Sequence, residues 1–152
     1  MGISNNDLLN QDELDALCKW PTPAIANAIE TFDIRSRTTG FTGSDVVCRF
    51  PELGIRAGYA VTAKMRASTR PEDDSDTISR DLLIDAMLAQ AGPKFVVIQD
   101  LDQPAVGSWW GEVNSTRHTA LGGVGVITDG GVRDLDEMRE MGFLALSKHV
   151  LV

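Results

Sequence analysis

The stretch VGVITDGGVRDLDEMREMGFLALS, Val124 to Ser147, decides the fold. It opens on a short run rich in β-branched residues, VGVI (124 to 127), and breaks at TDGGVR (128 to 133). It then reads as a helix over DLDEMREM (134 to 141) and a strand over FLALS (143 to 147). Just upstream, FVVI (95 to 98) reads as a short buried strand, and GEVNSTRHTAL (111 to 121) as a helix that places Val113, Thr116, Ala120 and Leu121 on one face before Gly122-Gly123 ends it. The whole is a β-α-β-α-β unit. Such units build parallel sheets with right-handed crossovers, so the loops leaving the carboxyl ends of successive strands gather on one edge of the sheet. The first of these loops delivers Gly111-Glu112 to the start of a helix, and the second delivers Arg133-Asp134 to the start of the next.

Toward the amino terminus, TPAIANAIE (22 to 30) carries Thr22 as an N-cap and Pro23 at the first helical position, with Ala24, Ile25, Ala28 and Ile29 sharing a face. A weaker helical pattern, QDELDALCKW (11 to 20), precedes it. DVVC (45 to 48) and GYAVTAKM (58 to 65) read as strands, and RPEDDSD (70 to 76) as a polar loop. DTISRDLLIDAMLAQAG (76 to 92) is expected to be the longest helix, its apolar stripe running through Ile78, Leu82, Leu83, Ala86 and Ala89 to a stop at Gly92-Pro93. The sequence stops at SKHVLV (147 to 152), inside an apolar run, so the expectation is one domain over residues 1–152 whose C-terminal part, which would cover or extend the sheet, is missing.

With 152 residues, 43% of them hydrophobic, the chain is long enough to bury one core. Its 22 acidic against 14 basic residues give a net charge of −8, which argues against a surface that tracks phosphates, and so against nucleic acid as a direct ligand. No apolar run approaches the ~18 residues of a membrane span, and the first twenty residues hold Asp7, Asp12, Glu13 and Asp15 rather than the basic start of a leader. A soluble, cytoplasmic setting without a membrane partner is expected. Cys18 and Cys48 have no CxxC partner and no histidine at metal-ligand spacing, and read as small buried hydrophobes.

Three polar side chains, Glu112, Arg133 and Asp134, are thus expected on one sheet edge. Helix starts present unpaired N–H groups and a partial positive charge, which favours an anionic ligand there. Arg133 adds a planar fork suited to a carboxylate. Two carboxylates close by would repel that anion unless a cation stands between them, and a hard divalent ion with oxygen ligands, Mg²⁺ or Mn²⁺, resolves the conflict. A plainer reading stays open: Asp134 as N-cap with Glu137 three positions on forms a capping box, and Gly130 and Gly131 are then ordinary turn glycines. Other candidates are weaker. The Gly-x-Gly of GGVGVITDGG lies before and within a strand rather than between strand and helix, which excludes a dinucleotide fingerprint. PEDDSD (71 to 76) lacks the glycine and terminal glutamate of a calcium loop. His118 is expected near the polar face of its helix, at the surface, and His149 is isolated. Trp109-Trp110 is expected to pack in a core or interface, though its place beside Glu112 also lets it wall a pocket.

WGEVNSTRHTALGGVGVITDGGVRDLDEM (110 to 138) resembles the signature region of the family that contains 4-hydroxy-4-methyl-2-oxoglutarate aldolase, which also acts on 4-carboxy-4-hydroxy-2-oxoadipate, and the regulator of ribonuclease activity A. The hallmark is an acid, twenty residues, then Arg-Asp and a further acid; Glu112, Arg133, Asp134 and Glu137 fill those places. TPAIANAIE, GYAVTAK and PKFVVIQD extend the resemblance upstream. It implies an α/β chain with a three-layer β/β/α swivelling fold, assembled into homotrimers or homohexamers with active sites between subunits. A full-length relative would carry about sixty to seventy further C-terminal residues. In the family's aldolases the residue matching Asp134 binds the metal, that matching Arg133 contacts the substrate, and that matching Glu112 acts through bound water. The family's ribonuclease regulators lack the aspartate. The resemblance therefore implies a divalent-metal-dependent lyase that cleaves a 4-hydroxy-2-oxo diacid to pyruvate, with oxaloacetate decarboxylation as a side activity. Glu112 and Arg133 would be catalytic, Asp134 the metal ligand, and Arg133, Gly111 and Trp110 the substrate contacts. The alternative is a non-catalytic regulator that binds a ribonuclease or another partner protein.

Overall fold

The computed structural model describes residues 8–71, 77 and 79–151. Two compact units divide the chain: Met1–Thr42 with Ile55–Ala57, and Gly43–Gly54 with Gly58–Val152. In the first lie α1 (Gln11–Leu17) and α2 (Thr22–Glu30). Asn10 and Glu13 close a capping box at the start of α1, each side chain taking the other's backbone N–H. Helix α2 starts one residue earlier than its sequence suggests, with Pro21 at the cap position and Thr22 already helical, and no side chain caps it.

The second unit holds a five-stranded sheet of order β1-β5-β4-β3-β2, made of β1 (Val47–Cys48), β2 (Tyr59–Met65), β3 (Lys94–Asp100), β4 (Gly123–Val132) and β5 (Leu144–Val150). Strands β2 to β5 are parallel, each beside the next in chain order, and β1 adds an antiparallel edge. Helices α3 (Arg80–Ala89), α4 (Glu112–Ala120) and α5 (Leu135–Glu140) fill the connections. The β-α-β-α-β reading of residues 95–147 therefore holds, in a mixed α/β fold. Val96, Ile98, Val126 and Ala145 lie in the sheet's core, joined by Phe50, Met87, Met138 and Phe143, all buried. Among the described residues no helix is long and apolar enough to cross a membrane.

Three expectations need correction. Helix α3 begins at Arg80, capped by the Ser79 hydroxyl, and it buries Leu83 and Met87 while Leu82 is exposed. The stripe is therefore Leu83-Met87, four residues apart; Ile78 and most of RPEDDSD lie outside the described residues. In α4 the inward residues are Ser115 and His118, and Val113 points outward. His118 is consequently buried, not a surface group. Finally, TDGGVR is strand rather than loop: β4 runs on to Val132. Between Thr128↔Ser147 and Gly131↔His149 it advances three residues against two on β5, so it carries a one-residue bulge. Its glycines serve close approach rather than turning. Neither Gly130 nor Gly131 has positive φ, and a Cβ at Gly130 would stand 2.6 Å from Asp100 Oδ2 and one at Gly131 2.7 Å from Leu151 Cδ1.

Candidate functional site

The bulged extension of β4 sets the site. Past the end of β3, Trp110 forms a parallel bridge with Val132, and the Arg133 N–H donates to the Trp110 carbonyl at 2.9 Å. The two crossover loops are thereby zipped side by side, and Gly111-Glu112 and Arg133-Asp134 come together as their spacing predicts.

Asp134 takes the cap position of α5 in a left-handed conformation, φ 52° and ψ 50°, and makes no side-chain bond to its own helix. The capping box with Glu137 is not formed. Instead Oδ2 of Asp134 accepts the backbone N–H of Glu112 at 3.0 Å, so the carboxylate caps α4, the neighbouring helix. Gly111 makes this possible: a Cβ there would collide with the Asp134 carboxylate and stand 2.9 Å from Arg133 Cγ. Arg133 Nε lies 3.8 Å from the same oxygen, with both side chains open to solvent. The Glu112 side chain is exposed at the first position of α4. By the geometry of a helix start, the N–H groups of Val113 and Asn114 have no intrahelical acceptor and remain for an anion.

Trp110, expected as a substrate contact, turns its indole inward. It is 1% exposed, its Nε1–H donates to Ser115 Oγ at 3.0 Å, and its ring packs on His118 and Phe143. Only its backbone reaches the site. Trp109 is half-buried, edge-on to Trp110, and its carbonyl accepts the Asn114 side-chain amide.

Acids that the sequence reading passed over brace the same edge. Asp129 Oδ1 accepts the Asp100 N–H at 2.7 Å, and Asp100 Oδ1 accepts the Asp102 N–H at 2.9 Å. The Oδ2 of Asp100, which lies against Gly130, has no partner among the described residues. Asp102 holds the loop after β2 by accepting the Ser68 hydroxyl and the N–H groups of Ala67 and Ser68. Those bonds, the Ser68 hydroxyl foremost, hold its carboxyl below the usual range. Asp100 and Asp102, two residues apart at the end of β3, are the signal that could have marked this brace; Asp129, 29 residues on from Asp100 and inside β4, gave none.

Among the described residues no three of His, Cys, Asp and Glu converge as a metal cage. Mg²⁺ keeps several waters and takes one or two carboxylates plus substrate oxygens. The donor chemistry fits such an ion: among the described residues Oδ1 of Asp134 takes no protein hydrogen bond, and the absent side chain of Gly111 leaves the carboxylate its place.

Comparison with known proteins adds the following. The sequence pattern of the RraA-like family, Aldolase/RraA, matches residues 22–152. No curated protein matches the chain. One solved structure, described as belonging to novel cellulases from microbes associated with the gut ecosystem, superposes with a TM-score of 0.77 at 18% identity, over 99% of this chain and 64% of its own. Streptomyces coelicolor RraAS2, described as an unusual member of the RNase ES inhibitor RraA protein family, gives 0.63 at 21% identity, covering 94% of this chain and 66% of its own. The RNA-processing inhibitor RraA from Thermus thermophilis gives 0.55 at 16%, covering 87% and 68%. At such identities the likeness is one of fold. The chain spans 64% of the first structure's length, under two thirds of it.

Proposed function

Because the chain belongs to the RraA-like family of aldolases and RraA proteins, we propose that it is the aldolase kind: a divalent-metal-dependent lyase acting on a 4-hydroxy-2-oxo diacid, with oxaloacetate as a side substrate. The observation that carries this reading is the Asp134 carboxylate, set in a left-handed turn over Gly111 with one oxygen on the Glu112 N–H and the other free, beside the Arg133 guanidinium.

Asp134 would hold Mg²⁺ or Mn²⁺, which when bound supplies Lewis-acid stabilisation of negative charge at the substrate's 2-keto oxygen. Arg133 binds a substrate carboxylate through its planar fork and adds positive charge as the C3–C4 bond breaks. The free N–H groups at the start of α4 hold the same anion in place. The bonding pair stays on C3, giving the enolate of pyruvate, while the C4 hydroxyl gives up its proton and becomes a carbonyl. Glu112 moves that proton: through a water molecule its exposed carboxylate takes it from the hydroxyl and returns it to C3. Decarboxylation of oxaloacetate reaches the same enolate with carbon dioxide as the departing group. Assembly into a homotrimer or homohexamer in the cytoplasm belongs to this reading, and the free cysteines suit a reducing compartment.

The test is pyruvate release from oxaloacetate and from a branched 4-hydroxy-2-oxo diacid. We expect turnover with Mg²⁺ or Mn²⁺ and none in excess chelator. Undiminished turnover in chelator contradicts the mechanism. No turnover on any 2-oxo acid favours the other reading, a regulator that docks on a ribonuclease or another protein.

A further inference from the structure

Beneath the candidate site lies a group of side chains that the proposed reaction does not use. His118 is 4% exposed on the inward face of α4, its ring centroid 4.6 Å from that of Trp110. Its Nδ1 stands 2.7 Å from the Asn114 carbonyl, which only accepts, so Nδ1 carries the hydrogen and donates it. Nε2 is then a bare lone pair, buried and, among the described residues, without a partner. A neutral ring tolerates this at the cost of one unmade acceptor bond. A protonated ring would place a charged N–H where nothing accepts it, which is far more costly. Trp110 from the preceding loop packs on the ring and Gly123 of β4 lies against the His118 main chain and Cβ, neither with an ionisable side chain, and among the described residues Arg117 is the charged group that acts on the ring. Arg117 on α4 itself adds repulsion, second to burial in disfavouring the charged form.

The partner of that ring is what the site hangs from. The Trp110 carbonyl accepts the Arg133 N–H, its main chain bridges Val132, and the next residue is the Gly111 over which Asp134 lies. The indole is keyed from three sides, by Ser115, His118 and Phe143. We propose that Trp110 and His118 are a positioning pair that sets the height of the Arg133 backbone against Gly111, and that the pair holds only while His118 is neutral. Insofar as it concerns substrate alignment this rests on the lyase reading; the geometry of the pair does not. Protonation drives the imidazole off the indole, the indole loses one wall, and the Trp110–Arg133 bond loosens.

Two measurements on the purified full chain decide it. The first, independent of activity, is the hydrogen-exchange protection factor of the Arg133 amide, followed from above histidine's ordinary value of 6.5 down through the acid range, because burial moves this ring's titration below that value. In the wild type we expect protection to fall in a step that is accompanied by a change in tryptophan fluorescence as the indole loses its imidazole neighbour. His118→Asn, neutral throughout, should lose both steps. The second is KM for oxaloacetate with saturating Mn²⁺. It should rise across the same step in the wild type and stay level in His118→Asn. Trp110→Phe should raise it roughly tenfold at every pH, with kcat less affected. Arg133 protection that follows the same pH course in His118→Asn as in the wild type overturns the proposal, whatever becomes of Trp110→Phe. If protection steps as expected but no 2-oxo acid is turned over, the pair stands and the lyase reading fails.

Discussion

Asp134 carries a conformational cost that a simple helix cap has no need of. A non-glycine residue in the left-handed region costs about 1–3 kcal/mol less what aspartate's tolerance of it returns, and it persists only where the surroundings enforce it. Here the Glu112 N–H and the missing Gly111 side chain do so. Asp134→Asn keeps both the tolerance and a carbonyl oxygen for that N–H. We expect stability to change by under ~1 kcal/mol in urea titration while Mn²⁺ binding is lost by calorimetry. Asp134→Ser, shorter and less at ease with positive φ, should cost about 1–2 kcal/mol besides. Mn²⁺ affinity preserved in the asparagine variant would make Asp134 a structural link alone. The convergence of Glu112, Arg133 and Asp134 was legible from strand ends and spacing. The bond that joins them was not, because it spans 22 residues, while a capping box is sought within three.

Helix α4 shows how an element's inward face can hide. Periodicity chose Val113, Thr116, Ala120 and Leu121, yet the face that turns in carries Ser115 and His118, because the indole of Trp110 needs a hydrogen-bond partner and a flat neighbour there. Burial holds the His118 ring below its ordinary value of 6.5, with the Asn114 carbonyl opposing and Arg117 adding to the fall. The sign follows from linkage. Below its ordinary value the unfolded chain takes up a proton that the folded chain refuses, so this histidine's contribution is fully present above that pH and is lost as the pH falls through it toward the folded value. Wild-type urea stability should therefore decline below about pH 6.5, and more steeply than that of His118→Asn. Parallel curves for the two proteins would remove the histidine from the account. Strand β4 was misjudged for the opposite reason: Gly130 and Gly131 resemble turn residues in sequence, and only the presence of Asp100 and Leu151 against them reveals a strand packed too closely for side chains.

The molecule as a whole exposes large apolar side chains in its first unit, among them Trp20, Phe32, Ile34 and Phe41, which fits the proposed assembly. Light scattering at micromolar concentration should return a trimeric or hexameric mass, and a monomer would contradict that part of the reading. The parallel sheet was foreseeable because its strands follow one another in the chain; DVVC was legible as a strand, but its antiparallel pairing with β5, near the far end of the sequence, was not. That strand order also sets a timetable. Strands β2 to β5 can be laid down in sequence, each beside its predecessor, whereas β1 must wait for β5. The closure is sealed by Arg49, whose guanidinium donates to the hydroxyl and the carbonyl of Ser147, 98 residues away, both at 2.8 Å. Contacts that close so long a loop are bought late on the folding route, after the entropy of the intervening chain is already spent. Arg49→Ala should therefore raise the unfolding rate in stopped-flow experiments, by the equivalent of about 1.5–3 kcal/mol, and leave the folding rate nearly unchanged. Equal slowing of refolding would mean that the ends of the sheet meet first. If they meet last, the edge strand is the molecule's latch, and the lifetime of the folded protein is governed by a clasp at β1 and β5 rather than by the core.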